Sequence, residues 1–539
     1  MTFRVLVTDD IDRDGVALLE AEPGLRVDEV PTLPADALLA RIADYDAIVG
    51  RSATRVSAEL LHAATKLRVV GRAGVGIDNV ALDVATALGV AVINAPAGNT
   101  VAVAELFFGT VLSLLRHLPH AAESMRAGRW DRARLLGTEL RGKTLGIVGM
   151  GRIGGEVAVR AEAFGMEVVG YDPYVGEARF AALRVRQAPS LDALLDDADV
   201  VTVHTPLNDE TAGLLGRREL LRLRPGAVVV NLARGGIVDD AALVAALAAG
   251  QLGGAVLDVY AAEPLAADHP LRQAPNVMLT PHIGASTAEA QRNVAVDVCA
   301  AVRDALLTGD VSRSLNAAGA SAGAASIDGR WRELQPVLLV ARRAAAVARA
   351  LLADQGARAV QRLTVRCGAD LAGSREPLLA SAALGALEGV VAAERLNMIN
   401  ARSIAESRGL ELLAVESAAI PPTTVEVSLH GAMHEVTVAG AAPPGAPPRL
   451  TRIGAFHVDV TPRETLVVLT NRDVPGVIGR VGTMLGDSHV NIAEYHQARL
   501  SQGGDALAAI SVDGPADAAL RQRLLELPDV QTATIVRFR

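Results

Sequence analysis

Three polar residues stand just after apolar runs in the middle of the chain: Arg234 after VVVNLA, Glu263 after AVLDVYAA and His282 after VMLTP. A histidine takes up and releases protons near neutral pH, and a nearby carboxylate would orient its imidazole and stabilise its protonated form. An arginine presents a planar fork that can pair with a substrate carboxylate. Together the three suit a reaction in which an alcohol loses a proton from its oxygen and a hydride from its carbon, although each alone is also compatible with a solvated loop residue.

A glycine-rich turn, GMGRIG, lies upstream of these residues, directly after the apolar run LGIV and before a helical pattern. Gly149 would allow a tight turn, Gly151 would let the backbone approach a pyrophosphate, and Gly154 would let the helix pack closely on the strand. The next strand candidate ends at Asp172, about 20 residues further on, where a carboxylate can bind the adenosine ribose and would repel a 2′-phosphate. The pattern favours NAD over NADP; the alternative is a tight turn followed by a solvated aspartate.

The elements that must position these residues follow from the hydrophobic periodicity. Short β-branched runs alternate with helical patterns in the first hundred residues, and again from residue 144 through DVVTVHTP, AVVVNLA, AVLDVY and VMLTPH. This alternation indicates βαβ units and parallel sheets, so the catalytic candidates fall at the strand ends of a doubly wound core, where ligands bind. A long apolar helix from Thr100 would join the two α/β regions, and a helix opening at Ser286 would return to the first.

Length and composition restrict the class of protein. A chain of 539 residues, 50% of them hydrophobic, is expected to form three or four globular domains. A net charge of −9 and only 3% aromatic residues disfavour nucleic-acid binding, and neither a secretory signal nor a membrane-spanning run is expected. Cys299 and Cys367 form no CxxC or Cys/His motif, so we expect no metal site and no disulfide framework, in keeping with a reducing cytosol.

Two stretches have the composition of linkers. Residues 313–328 are rich in Ala, Gly and Ser, and residues 440–450 are rich in proline. They would isolate a third unit from a fourth, whose apolar runs follow the order β, α, β, β, α, β of a ferredoxin-like fold. The arginines of the third unit either serve an anion site or cover a solvated helix face; they are Arg330, Arg332, Arg342, Arg343 and Arg349.

The motifs GRAGVGIDNV, GMGRIG, NLARGGIVDD, LDVYAAEPL and TPHIGAST, in this order, resemble those of the D-isomer-specific 2-hydroxyacid dehydrogenases. The resemblance implies an α/β protein with a Rossmann-type doubly wound NAD domain, residues 99–284, inserted in a flavodoxin-like substrate-binding domain, residues 1–98 and 285–312. It also implies an α+β intervening domain of the allosteric substrate-binding type, residues 320–450, and a ferredoxin-like ACT regulatory domain, residues 463–539.

The resemblance assigns roles to single residues. Arg234 would anchor the substrate, His282 would act as acid and base, and Glu263 would be the partner of the histidine. Further substrate contacts would come from Arg51, Arg72, Gly74, Val75, Gly76 and, across from a second subunit, Arg132. Cofactor contacts would come from Val75, Gly149, Gly151, Arg152, Ile153, Gly154, Asp172, Thr205, Leu232, Ala233, Arg234, Asp258, His282, Gly284 and Ala285.

The fourth unit resembles an ACT domain through the stretch LTNRDVPGVIGRVGTMLGDSHVNIAEY. This resemblance implies that Asn471, Asp473 and Asn491 bind L-serine between paired domains, where amide and carboxylate groups suit the ammonium and carboxylate of an amino acid. The alternative is a plain dimerisation module.

The two resemblances together imply the NAD-dependent oxidation of D-3-phosphoglycerate to 3-phosphohydroxypyruvate, the first step of L-serine biosynthesis, inhibited by L-serine in a cytoplasmic homotetramer. One alternative is another D-2-hydroxyacid dehydrogenase, such as a glyoxylate or hydroxypyruvate reductase, for which the serine-type domain gives no reason. The other is a non-catalytic dinucleotide-sensing regulator on the same fold, against which the complete Arg, Glu and His set argues.

Overall fold

The structure, a computed structural model, describes residues 2–317, 331–356, 360–389, 396–443, 446–514 and 516–538, with Arg332 as backbone only. Most of the expected linker at 313–328, together with Arg330, lies outside the described residues.

The N-terminal region builds a five-stranded parallel sheet with helices on its faces. Its strands are β1 (Phe3–Val7), β2 (Leu25–Glu29), β3 (Ala47–Gly50), β4 (Val69–Arg72) and β5 (Ala91–Asn94), in the order β2-β1-β3-β4-β5. Its helices are α1 (Arg13–Glu20), α2 (Ala35–Ile42), α3 (Ala58–Ala63), α4 (Leu82–Ala87) and, from much later in the chain, α12 (Ala288–Thr308). Strands β3 and β5 are buried along their whole length, as parallel strands covered on both faces must be.

Helix α12 returns the chain to this first sheet. Thr287 caps its N-terminus by accepting a hydrogen bond from the N–H of Ala290, and Gly309 ends it with a φ of +71°. It packs so closely on α1 that a Cβ atom on Gly15 would lie 2.6 Å from the carbonyl carbon of Ala295. The second α/β region is therefore inserted between two parts of the first.

The inserted region contains a seven-stranded parallel sheet. Its strands are β6 (Thr144–Val148), β7 (Glu167–Tyr171), β8 (Arg186–Gln187), β9 (Val200–Val203), β10 (Ala227–Asn231), β11 (Leu252–Leu257) and β12 (Val277–Leu279), in the order β12-β11-β10-β9-β6-β7-β8. Its helices are α5 (Thr100–Leu115), α6 (Leu118–Arg126), α7 (Arg152–Ala163), α8 (Glu177–Ala182), α9 (Leu191–Asp197), α10 (Arg217–Arg222) and α11 (Asp240–Ala248), with 3-10 helices at Arg132–Arg134 and Pro270–Gln273. The strand order reverses between β6 and β9, so the prediction of a doubly wound Rossmann-type core is confirmed.

Helix α5 connects the two α/β regions and packs on the seven-stranded sheet. Phe107 and Val111 on this helix are buried against Leu145 and Ile147 of β6. Within the described ranges no single helix is long and apolar enough to cross a bilayer; α5 and α6 reach that length and composition only as a pair, which is bent by 62°.

The third region contains a six-stranded mixed sheet. Its strands are β13 (Arg362–Cys367), β14 (Glu411–Glu416), β15 (Thr424–His430), β16 (Glu435–Ala441), β17 (Arg449–Ile453) and β18 (Phe456–Val460), in the order β14-β13-β15-β16-β17-β18. Its helices are α13 (Trp331–Asp354), α14 (Arg375–Leu387) and α15 (Ala401–Ser407), with a 3-10 helix at Ala369–Ser374.

The proline-rich stretch at 440–450 joins two neighbouring strands of this sheet. Gly440 pairs with Leu450 and Ala441 with Arg449 across β16 and β17. The expected domain end at residue 450 is thereby corrected: the sheet continues through β18 to Val460, and the next one begins at Thr465. Proline and glycine suit a turn between strands as well as a linker, so composition alone does not distinguish the two.

The last region has the expected ferredoxin-like order. Strands β19 (Thr465–Arg472), β20 (Asn491–Arg499), β21 (Asp505–Asp513) and β22 (Val530–Arg537) form an antiparallel sheet in the order β20-β21-β19-β22, with helices α16 (Val477–Asp487) and α17 (Ala518–Leu525) between them. Val481, Leu485 and Leu520 of the helices pack on one face of this sheet.

The other face of the last sheet packs on the third region. Leu466, Val468 and Val536 belong to the same buried cluster as Val340 and Val347 of α13. The two regions therefore share one hydrophobic core, whereas separate units were expected.

Arginines of α13 take part in this packing. Arg342 donates to the Glu388 carboxylate at 2.6 Å, and the Arg343 guanidinium carbon lies 5.2 Å from the centre of the Phe538 ring. Burial lowers the pKa of Arg343 and of Arg349. Arg342, Arg343 and Arg349 are thus partly buried, so they do not form a solvated helix face.

Because the last sheet and α13 share one core, a cavity made in the sheet should also destabilise α13. Leu466→Ala should destabilise the folded state by about 2–5 kcal/mol, and hydrogen exchange should become faster in α13 as well as in β19. Leu485→Ala, on the opposite face of the sheet, is the matched control and should leave exchange in α13 much closer to the parent value. Unchanged protection of α13 in Leu466→Ala would contradict a shared core.

Candidate active site

The glycine turn lies between β6 and α7, where the strand order reverses. Gly149 has a φ of +96°, and a Cβ atom there would lie 2.7 Å from the carbonyl oxygen of His204. A Cβ atom on Gly154 would lie 2.1 Å from the carbonyl oxygen of Gly149, whereas one on Gly151 would have no neighbour within 4 Å. Packing thus requires two of the glycines, and Gly151 keeps open space at the N-terminus of α7, where an anion is stabilised.

Asp172 follows β7 directly and is bonded to the same turn. Its Oδ2 accepts from the N–H of Met150 and its Oδ1 from the N–H of Tyr174, both at 2.9 Å. A cavity of about 470 Å³, lined in part by Asp172 and Gln187, adjoins the carboxylate. A ribose hydroxyl at this point would meet a fixed acceptor, and a 2′-phosphate would meet like charge.

Two buried polar atoms beside the glycine turn lack partners among the described residues: Nδ1 of His204 and Oγ1 of Thr205. Burial lowers the pKa of His204 to about 4, so its ring is neutral at pH 7. The open space at Gly151, the carboxylate of Asp172 and these unpaired groups fit a nicotinamide dinucleotide. The other expected cofactor residues on this domain begin α7 or follow β10, β11 and β12; they are Arg152, Ile153, Leu232, Ala233, Asp258, Gly284 and Ala285.

His282 and Glu263 form a hydrogen-bonded pair beyond β12 and β11. Nδ1 of His282 lies 2.7 Å from Oε2 of Glu263, whose Oε1 accepts from the N–H of Tyr260 at 3.0 Å. His282 has a φ of +54°, a left-handed conformation that is uncommon outside glycine and is concentrated at functional sites. Because Nδ1 faces a carboxylate, it carries the ring proton of the neutral histidine, and Nε2 is left to accept another.

The turn that carries His282 is fixed by Asp258, which is fully buried. Its Oδ1 accepts from the N–H of Ile283 at 2.8 Å and from the hydroxyl of Thr280 at 2.6 Å, and its Oδ2 accepts from the N–H of Gly284 at 2.8 Å. Both carboxylate oxygens therefore hold the backbone beside His282.

Arg234 lies in the turn after β10, and its guanidinium spans the cleft between the two α/β regions. Its Nε donates to Oδ2 of Asp78, on the first region, at 3.1 Å, and its Nη1 donates to the carbonyl of Ala233 at 2.7 Å. Buried Asn231 closes the turn by donating to the carbonyl of Arg234 at 2.8 Å. Gly235 then passes so close to the next strand end that a Cβ atom there would lie 2.0 Å from the carbonyl carbon of Tyr260.

Arg72 ends β4, Arg51 follows β3, and both join Arg234 in a cluster of three cations. Burial, with repulsion by Arg234 and Arg51, lowers the pKa of Arg72 to about 10. Two glycines make room for the guanidinium groups: a Cβ atom on Gly74 would lie 1.5 Å from Nη1 of Arg72, and one on Gly76 would lie 2.0 Å from Nη2 of Arg234. An anionic ligand would relieve the repulsion.

Val75, between those glycines, offers its carbonyl to Nδ2 of Asn94 at 2.6 Å. Arg132 lies on an exposed 3-10 helix after α6, and the cations that lower the pKa of Arg72 are Arg234 and Arg51. Trp130 and Leu136 on the same segment are 80% and 89% exposed.

The three residues expected to bind serine lie at two ends of the last sheet. Asn471 accepts from Nε2 of Gln497, and Asp473 accepts from the guanidinium of Arg499, so both lie near the C-terminal end of β20. Asn491 begins β20 and donates to Asp513 at the opposite end. A nine-residue strand is roughly 30 Å long, so one chain does not bring the three together.

The pattern of the sequence did not single out Asn231 or Asp78. A polar residue closing an otherwise apolar strand, as Asn231 does in AVVVN, is a signal that could have found the first. The ion pair of Asp78 with Arg234 joins positions 156 residues apart and has no local signal.

Within the described part of the chain, no group of three or more His, Cys, Asp and Glu side chains could hold a metal ion.

Comparisons with known proteins agree with this geometry. The family model described as "D-isomer specific 2-hydroxyacid dehydrogenase, NAD binding domain" matches residues 108–284. The D-3-phosphoglycerate dehydrogenase of Synechocystis is 37% identical over 99% of this chain and 95% of its own length, and that of Bacillus subtilis is 35% identical over 99% of both. Among solved structures, the TT0316 protein of Thermus thermophilus is 39% identical, with a TM-score of 0.52 over 57% of this chain and 97% of that one.

The relatives cover the third and fourth regions as well as the catalytic core, and the family model covers the domain that carries the glycine turn, Arg234, Glu263 and His282. The chain therefore belongs to the D-3-phosphoglycerate dehydrogenases, within the NAD-dependent D-isomer-specific 2-hydroxyacid dehydrogenase family.

Proposed function

We propose that this enzyme oxidises D-3-phosphoglycerate to 3-phosphohydroxypyruvate with NAD, the first step of L-serine biosynthesis. The observation that carries the proposal is the cluster of Arg51, Arg72 and Arg234. The turn of Arg234 packs against Tyr260, whose N–H donates to Glu263 of the His282–Glu263 pair. A substrate with a carboxylate at one end and a phosphate at the other needs cations for both. Guanidinium groups suit both anions because their planar fork matches the oxygen spacing.

The chain's own residues handle the proton. Nε2 of His282 takes the proton of the substrate 2-hydroxyl, and Glu263 stabilises the imidazolium through Nδ1. Bound NAD would supply the acceptor for the hydride that leaves the carbon bearing this hydroxyl. Arg234 anchors the substrate carboxylate and polarises the oxygen that becomes a carbonyl, while His282 releases its proton to solvent before the next turnover.

The single-chain geometry supports assembly of the regulatory site from two chains. Because Asn491 lies at the opposite end of β20 from Asn471 and Asp473, a serine bound by all three needs a second copy of the domain. We therefore propose feedback inhibition by L-serine bound between two chains, and we propose a cytoplasmic homotetramer from the resemblance to the family. The exposed Trp130 and Leu136 support a further interface that would carry Arg132 towards a partner's substrate site.

The direct test is NADH formation by the purified enzyme with D-3-phosphoglycerate, with and without L-serine. Activity that falls with serine supports both parts of the proposal. Faster turnover of glyoxylate or hydroxypyruvate by reduction would replace the substrate assignment, and the absence of turnover with any 2-hydroxy acid would favour a dinucleotide-sensing regulator.

Glu263→Gln is expected to lower kcat by about 10²–10⁴-fold, because a side-chain amide can donate to Nδ1 of His282 and hold the ring with its proton on Nε2. NAD affinity, measured by fluorescence titration, should stay near the parent value. A near-normal kcat would mean that Glu263 only supports the loop.

Arg234→Lys keeps the charge but loses the planar fork. We expect kcat/KM for phosphoglycerate to fall roughly a hundredfold, since a charge-assisted bidentate pair becomes a single contact. Arg41→Lys, on helix α2, serves as the control for a surface exchange of the same kind. A near-normal kcat/KM would show that Arg234 only closes the strand.

Alanine substitutions at two glycines of the turn, Gly151 and Gly154, should affect NAD affinity and folding stability differently. Gly151→Ala should leave the melting temperature near the parent value but weaken NAD binding by about tenfold or more, because its new methyl group enters only the open space. Gly154→Ala should lower the melting temperature as well, since its methyl group meets the backbone of Gly149. Equal NAD affinity in Gly151→Ala and the parent would contradict a pyrophosphate at this turn.

A further inference from the structure

Asp9 is a buried carboxylate at the end of β1 that the catalytic scheme does not use. It is 7% exposed and has a φ of +62°, and the next residue, Asp10, has a φ of +49°. Two consecutive non-glycine residues in the left-handed region are strained, and such strain persists only where surrounding contacts impose it. Asp10 is exposed, so the contacts that impose this conformation are those of Asp9.

The Asp9 carboxylate receives four hydrogen bonds. Its Oδ2 accepts from the backbone N–H groups of Arg51 at 2.8 Å and Thr54 at 2.9 Å. Its Oδ1 accepts from the hydroxyls of Thr54 and Thr32, both at 2.8 Å. Three of the four donors lie on the segment 51–54 after β3, and one of them is the backbone of Arg51 itself.

The same segment is held from its other side. Nδ2 of Asn79 donates to the carbonyl of Arg51 at 2.9 Å and to that of Thr54 at 2.6 Å. Its neighbour Asp78 pairs with Arg234 across the cleft. The backbone of Arg51 is thus fixed in both directions, while its guanidinium has no ion-pair partner among the described residues.

We propose that Asp9 is a positioning residue for the phosphate end of the substrate. It holds the backbone of Arg51 so that the guanidinium meets the phosphate, and it does not contact the reacting atoms. The inference rests on the proposed function, in which Arg51 binds an anionic end of phosphoglycerate. A fixed backbone lowers the entropy that a flexible arginine would lose on binding, so the benefit appears in substrate affinity.

Asp9→Gly removes the carboxylate and still accepts a positive φ, so it isolates the loss of the four hydrogen bonds from backbone strain. We expect KM for phosphoglycerate to rise about tenfold or more, kcat to stay within about threefold, and the inhibition constant of inorganic phosphate to rise with KM. Asp9→Asn should largely restore the parent KM, because its amide oxygen can accept both backbone N–H groups while its NH₂ donates to the threonine hydroxyls, and asparagine tolerates this φ.

A double-variant cycle with Arg51→Ala tests whether Asp9 acts through Arg51. If it does, Asp9→Gly adds little to the KM of Arg51→Ala. Asp46→Gly is the matched control, because Asp46 also accepts a backbone N–H, from Arg4 at 2.9 Å, but at the opposite end of the same sheet. It should lower the melting temperature without changing KM.

An unchanged KM in folded Asp9→Gly, or an equally large rise in KM in the Arg51→Ala background, would overturn the proposal. If Asp9→Gly does not fold, Thr54→Val should raise KM about threefold and Thr54→Ser should restore it, since only the serine keeps a hydroxyl for Asp9. A parent-like KM in Thr54→Val would then count against the proposal.

A parent enzyme that does not oxidise phosphoglycerate contradicts the proposed function and with it the phosphate role of Arg51. An active parent with an unaffected Asp9→Gly contradicts only the role of Asp9.

Discussion

Repulsion among three guanidinium groups is the constraint on which the catalytic half of the chain depends. Arg51 and Arg72 come from one sheet and Arg234 from the other, and burial together with this repulsion lowers the pKa of Arg72 to about 10. The carboxylate of Asp78 offsets part of the charge, and glycines at 74 and 76 leave the space that the guanidinium groups occupy. Under the proposed function, a substrate with a carboxylate and a phosphate would supply the negative charge that the cluster lacks. The choice of substrate would then depend on how the two sheets meet.

The positions of Arg234 and of the His282–Glu263 pair depend on a second feature. Buried polar side chains at the strand ends form hydrogen bonds with the turns that carry these residues. Asn231 closes the turn of Arg234, and Asp258 accepts three hydrogen bonds from the turn of His282. These bonds fix the backbone beside Arg234 and His282. The side chains of both residues are partly exposed and can contact a ligand. Rigid support of this kind reduces the reorganisation needed during reaction.

In the C-terminal half, the ferredoxin-like sheet has helices on one face and α13 on the other. The residues proposed to bind serine therefore lie on a sheet whose second face is part of the core of the third region. This sheet packs directly on α13, a contact that a flexible linker between separate domains would not provide.

The sequence by itself determined the parallel α/β architecture of the first two regions, the ferredoxin-like order of the last one, and the residue types that stand at the strand ends. Alternating apolar runs specify parallel βαβ folding, the spacing of Gly149, Gly151 and Gly154 specifies a dinucleotide turn, and residues that follow strands must gather at one sheet edge because parallel strands point the same way. Contacts between distant segments were decided only by the tertiary structure. The pair of Arg234 with Asp78 and the bonds from the 51–54 segment to Asp9 depend on how two sheets and their loops pack, and no local pattern encodes such distances. The same reason explains the proline-rich stretch at 440–450, which becomes a strand connection because its neighbours pair in one sheet.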